Sequence, residues 1–173
     1  KKSDGEIAIV HMLELPSSGN DALSTSHEIP ELMLFKNIAL QKLEETANSD
    51  FLKGIKVEKY IQFEMAFDGI IKMGNAQNAD LIVMGSHGAK GFQEMFIGSN
   101  TEKVVRNSDI PVLVIKKEDD NFSADKFVFA SDFSDEIKKS FAKVVDFANK
   151  FNSHIYMVNI NTPNNFKSTE VAQ

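Results

Sequence analysis

Three short runs in this chain are apolar at nearly every position: EIAIVHML (6–13), DLIVMG (80–85) and IPVLVIK (110–116). A strand with one wet face alternates, so runs of this kind belong to strands covered on both faces. Segments of helical period separate them. EIPELMLFKNIALQKLEETA (28–47) has Pro30 at its first helical position and repeats Leu32, Phe35, Leu40 and Leu43 at helical spacing. IKVEKYIQF (55–63) alternates and predicts a strand. Residues 67–79 predict a helix with Ile70, Ile71 and Met73 inward, weakened by Gly69 and Gly74. Residues 99–108 predict a short helix. Two further strands, 126–132 and 154–160, flank a helix over 134–151 that lines up Ile137, Phe141, Val144, Ala148 and Phe151. Ser134 is its expected N-cap, with Asp135 and Glu136 in the first turn. Strands that alternate with helices predict an α/β fold with a mostly parallel sheet. Ligands in such sheets bind beyond the carboxyl ends of the strands.

Composition narrows the function. The net charge of −6 argues against a protein that grips nucleic-acid phosphates. Cysteine is absent, which removes disulfides and thiolate metal sites and fits a reducing, cytoplasmic setting. No apolar run approaches the roughly 18 residues of a membrane span, so no membrane partner is expected. His11, His27 and His154 show no metal spacing with each other, and no metal site is expected. The chain opens KKSDGE without an initiator methionine, so a cut or trimmed N-terminus is expected.

The two ends of the chain resemble each other. EIAIVHMLELP near the start echoes HIYMVNINTP near the end, with Ile7 matching Ile155 at an offset of 155 − 7 = 148 residues. That is about one domain length. One reading is a slice of a tandem repeat. It holds residues 1–116 as a first repeat without its opening strand and helix, 117–125 as a linker, and 126–173 as the opening strand-helix-strand of a second. The other reading is chance similarity of two short strands.

The end of the run at 80–85 is unusual. Gly85, Gly88 and Gly91 follow in quick succession, and Gly98-Ser99 opens the helix at 99–108. Glycine allows close backbone approach, and a helix N-terminus offers free N–H groups and a positive dipole end to a phosphate. A tight turn is the alternative reading. Ser99 and Glu102 also fit an S-x-x-E capping box. The pattern G-x2-G-x9-G-S is neither a Walker A loop nor the dinucleotide G-x-G-x-x-G.

ADLIVMGSHGAKGFQEMFIGSNTEKVVRNSDIPVLVIK (79–116), with its G-x2-G-x9-G-S spacing, resembles the ATP-binding end of universal stress protein domains, and KFVFASDFSDE (126–136) resembles their opening strand. The resemblance covers nearly the whole chain. It implies a five-stranded parallel sheet in the order 3-2-1-4-5, helices on both faces, and ATP as ligand, with Mg2+ bridging its phosphates. It places Gly85, Gly88, Gly98 and Ser99 at ribose and phosphates, with the backbone of Asn100 extending that loop. Met84 falls beside the ribose and the Met12 backbone at adenine. The acidic residue expected near adenine is matched by Asp132, in the second repeat; residues 1–116 hold no counterpart. The resemblance implies a stress or signalling module with no dedicated catalytic residue and at most slow ATP hydrolysis. The alternative is an interaction scaffold of the same fold that no longer binds nucleotide. It further implies a dimer, paired through the strand at 110–116. Residues 126–151 are of the type needed to fill the centre of the first sheet, between 6–13 and 80–85, in their own chain or swapped into a partner.

Overall fold

The structure is a computed structural model that describes residues 5–14, 28–86, 98–118 and 122–159. The chain divides into two compact units, Lys1–Lys117 and Glu118–Gln173. The first unit runs β1 (Ile7–Met12), α1 (Glu28–Ala47), β2 (Val57–Gln62), α2 (Ala66–Ala76), β3 (Ile82–Gly85), α3 (Ser99–Asn107) and β4 (Val112–Ile115), with a single 3-10 turn at Asp50–Leu52. The second runs β5 (Lys126–Ala130), a 3-10 turn (Asp135–Ile137), α4 (Lys138–Phe151) and β6 (His154–Val158).

All three strand pairs are parallel. β1 pairs with β2, Ile7 opposite Val57. β3 pairs with β4, Ile82 opposite Val112. β5 pairs with β6, Phe127 opposite Ile155. Parallel neighbours need a crossover, and α1, α3 and α4 supply it in turn. The α/β class and parallel pairing agree with the sequence. The hydrogen bonds among the described residues draw three separate pairs where one five-stranded sheet was expected. The strand expected between 6–13 and 80–85 has β6 as its partner in the second unit.

In the first unit, α1 buries Ala39 and Leu43, while Phe35 and Leu40 stay 49% and 46% exposed. Of the four residues that repeat at helical spacing, Phe35 and Leu40 are thus exposed. At 3.6 residues per turn, positions 32, 36, 39 and 43 fall in one line, with 35 and 40 on its flanks. Pro30 is the third helical residue, still within the first turn, where its missing N–H costs no helical bond. Gly69 and Gly74 of α2 are buried, and their use is packing. A Cβ on Gly69 would lie 2.7 Å from Met12 Sδ, and one on Gly74 would lie 3.0 Å from Ile110 Cδ1 and 3.3 Å from Ile82 Cδ1. These two gaps let α2 lie closely against the end of β1 and the start of β3. The glycines reduce helix propensity and gain close approach. The Ala66 N–H donates to Glu14 Oε1 at 3.0 Å, so a carboxylate from the end of β1 occupies the N-terminus of α2.

In the second unit, β5 turns Phe127 and Phe129 onto α4. Phe127 meets Phe147 edge-on at 5.8 Å, and Phe129 meets Phe141 at 5.0 Å. Phe151 stacks at a tilt on Phe147, also at 5.0 Å. Of the expected face, Ile137, Phe141, Val144 and Ala148 are packed, while Phe151 at its end is 36% exposed. Ser134 precedes the 3-10 turn and makes no side-chain cap, and α4 proper begins at Lys138. The helix ends on Asn152 in the left-handed region (φ 54°), a conformation asparagine tolerates.

Candidate functional site

The carboxyl end of β3 and the start of α3 are tied together by backbone and side chain. The Ser86 N–H donates to the Ile115 carbonyl at 2.9 Å, carrying the β3–β4 ladder one residue past the strand. The Ser86 carbonyl then accepts from the Gly98 N–H at 2.6 Å. One residue earlier, the Gly85 carbonyl accepts the Thr101 hydroxyl at 2.9 Å. Ser86 and Thr101 are both buried, at 2% and 4% exposure. The segment between these stems includes Gly88, together with His87, Lys90 and Gly91; it lies outside the described residues.

Gly98 is the N-cap of α3, at φ −56° and ψ 144°, and among the described residues no side chain caps the helix. Its carbonyl accepts the first helical bond, from the Glu102 N–H at 2.9 Å. Ser99 and Asn100 are therefore the first two helical residues, and both are exposed. The expected capping box does not form. Ser99 sits one position too far into the helix, and Glu102 turns to Arg106 Nε at 2.9 Å instead of reaching back. The first amides of a helix have no carbonyl one turn back to bond, which makes this end of α3 a place for an anion. Lys103 Nζ lies 5.0 Å from the Phe67 ring centroid, a cation–π contact between α3 and α2.

The other expected positions are placed as follows. Met84 precedes Gly85 in β3, half-buried and opposite Val114. Met12 ends β1 opposite Gln62 and packs on α2 at Gly69. Asp132 belongs to the second unit, where its Oδ1 accepts the Ser134 N–H at 3.0 Å. Next to it, Phe133 has φ 56°, a strained conformation for a bulky residue, and its N–H is held by Ser131 Oγ at 2.8 Å. The structure thus brings Gly85, Gly98, Ser99 and Asn100 together, with Met84 adjoining. Sequence reasoning missed Ser86 and Thr101. The signal for Thr101 was available: a polar residue three positions before Val104, which is fully buried, lies on the inward face of its helix.

The charge clusters sit elsewhere. At the amino ends of β1 and β2, Lys56 Nζ lies 2.7 Å from Glu6 and 3.2 Å from Glu58. These carboxylates raise the Lys56 pKa, Glu6 most. The Tyr60 hydroxyl, then Lys56, hold Glu58 below the usual carboxylate range. Lys59, then Asn48, do the same for Glu44. Among the described residues, no group of three or more His, Cys, Asp or Glu could hold a metal, and no helix is long and apolar enough to cross a membrane.

With this geometry in place, comparison with known proteins is informative. The universal stress protein family model matches residues 1–116. Universal stress protein MJ0577 of Methanocaldococcus jannaschii is 39% identical over 64 residues, 37% of this chain and 40% of that protein. Universal stress protein MJ0531 of the same organism is 30% identical over 119 residues, 68% of each chain. A solved structure of protein MJ0577 matches with a TM-score of 0.57 at 27% identity, over 66% of this chain and 77% of that one. A universal stress protein from Archaeoglobus fulgidus matches with a TM-score of 0.61 at 25% identity, over 90% of this chain and 55% of that one. The first of these relatives is thus matched over less than half of its length.

Proposed function

This chain belongs to the universal stress protein family, and we propose that it is an ATP-binding module with a stress or signalling role and no dedicated catalytic centre. The observation that carries this reading is the start of α3: a helix end with no side-chain cap among the described residues, Gly98 at the N-cap and the Ser99 hydroxyl exposed, tied to the carboxyl end of β3. These groups fit a phosphate chain. The amides of Ser99 and Asn100 and the Ser99 hydroxyl would donate to phosphate oxygens, and Gly98 leaves room for them. Gly85, Met84 and Gly88 belong to the same proposed site at the ribose, and Met12 at adenine. Mg2+ would neutralise phosphate charge. A cytoplasmic setting, where ATP is abundant, is part of the proposal.

The five-stranded order is proposed from the repeat. If β6 corresponds to β1, then the β2–β1 and β6–β5 pairings overlay as positions 3-2 and 2-1 of one sheet, and β3–β4 supply 4-5. A strand of the β5 type, with its helix, would then stand at the centre of the first sheet and bring an acidic residue of the Asp132 type to adenine. Under this order β4 is an edge, and dimerisation through it would satisfy its open backbone groups. The scaffold reading is favoured by one observation: the acidic position expected near adenine has its match, Asp132, in the second unit.

Calorimetry with the full chain separates the two readings. The parent is expected to bind ATP and Gly98→Val to lose that binding with the fold intact. The Gly98 backbone angles are open to any residue, so the added side chain acts by blocking approach alone. A parent that binds no ATP would leave the scaffold.

A further inference from the structure

We propose that Thr101 is a positioning residue for this site: its hydroxyl, donated to the Gly85 carbonyl, sets the first turn of α3 against the end of β3 and so fixes the amides of Ser99 and Asn100. The inference rests on the nucleotide reading above. Thr101 is 4% exposed and faces inward with Val104, which has no exposure. An apolar side chain would fill that place without the cost of burying a hydroxyl. Among the described residues the hydroxyl has one partner, the Gly85 carbonyl at 2.9 Å.

The arrangement of the two ties matters. The Gly98 N–H bonds to Ser86 at 2.6 Å, and Thr101 bonds to the neighbouring Gly85. One hydrogen bond fixes a distance and leaves the helix free to turn about it. A second, from three residues further along the helix, fixes the rotation as well. With no side-chain cap on α3 among the described residues, these bonds to the strand end orient its first turn. Backbone amides hold an anion best when their direction is set before the anion arrives. Valine at 101 keeps the side-chain size and removes the donor, and serine keeps the donor.

The test compares Thr101→Val and Thr101→Ser with the parent full chain by two readouts. Amide hydrogen exchange without ligand should quicken about tenfold at Gly98 in Thr101→Val, the scale of one lost hydrogen bond, and stay near the parent rate in Thr101→Ser. ATP affinity should fall about tenfold in Thr101→Val while adenosine affinity holds, because only the phosphates meet these amides. Unchanged Gly98 exchange overturns the proposal. So does an equal loss for ATP and adenosine, which marks a purely structural role. A parent that binds no ATP removes the site and this role with it, and the exchange result then shows separately whether the tie exists.

Discussion

β1 and β6 have similar sequences, and each lies in a parallel pair, but they sit in different surroundings. β1 pairs with β2, the strand that follows it, and β6 pairs with β5, the strand that precedes it. β1 is packed by α2 at Met12, where Gly69 removes the side chain that would obstruct contact. Among the described residues, the β5–β6 pair carries α4 on one face only. On the other, Val128 is 71% exposed and its register partner Tyr156 53%. Short apolar sequence fixes the strand and its parallel partner, and what covers the strand is decided by segments far along the chain. A parallel pair with one apolar face open is unusual, since such sheets are normally covered on both.

The largest expected effects separate the two units. Phe147→Ala removes a ring that touches both Phe127 and Phe151, and should cost about 3 kcal/mol, the low end for a large aromatic because the site is half-buried. Gly69→Val forces a side chain towards Met12 and should cost about 1–2 kcal/mol. Hydrogen exchange should place the first loss in residues 122–159 and the second in residues 5–86. Losses that spread evenly through the chain in both variants would show that the two units unfold as one.

Ser99→Ala has a smaller effect and sharpens the account of α3. A true N-cap serine would cost about 1 kcal/mol on replacement. Ser99 is inside the helix, so thermal unfolding without ligand should move by less than about 0.5 kcal/mol. Protection by ATP should shrink, since the exposed hydroxyl is free to meet a phosphate. A clear loss of stability without ligand would return Ser99 to the role of cap.

The smallest effect is acid sensitivity in the first unit. Lys59 lowers the pKa of Glu44, and Tyr60 lowers that of Glu58. A carboxylate with a lowered folded value contributes stability above its ordinary pKa of 4.5, and that contribution is lost as pH falls through the folded value. Unfolding of residues 5–86 should therefore ease as pH falls below about 4.5. The change is small because both carboxylates are exposed and screened. On the alkaline side the sign reverses for Lys56: its pKa is raised above 10.5, and its contribution fades only as pH passes that raised value. A Glu44→Gln, Glu58→Gln double variant with the parent's acid profile would contradict this assignment.

Element type and order were legible because the apolar runs and helical periods are strong. The 20 residues of α1 coincide with the segment read as a helix. Finer placement was not legible, for physical reasons. Phe35 and Leu40 share the helical period of the core yet fall on the flanks of its buried line. Gly69 and Gly74 lower helix propensity, and their compensation appears only when a strand residue lies opposite. The S-x-x-E pattern at Ser99 is local, whereas the helix start is set by ties to Ser86 and Gly85, more than ten residues away in sequence. Of the site, the glycines and Ser99 were visible as a pattern, and the buried bracing by Ser86 and Thr101 was visible only in the fold.

The most direct test of the central claim is titration of the full chain with ATP while following the amide resonances of Gly98, Ser99 and Asn100. Saturable shifts should be largest at Ser99 and Asn100, with the amides of α4 unmoved. ATP binding that leaves these resonances in place, or no binding at all, would contradict the account.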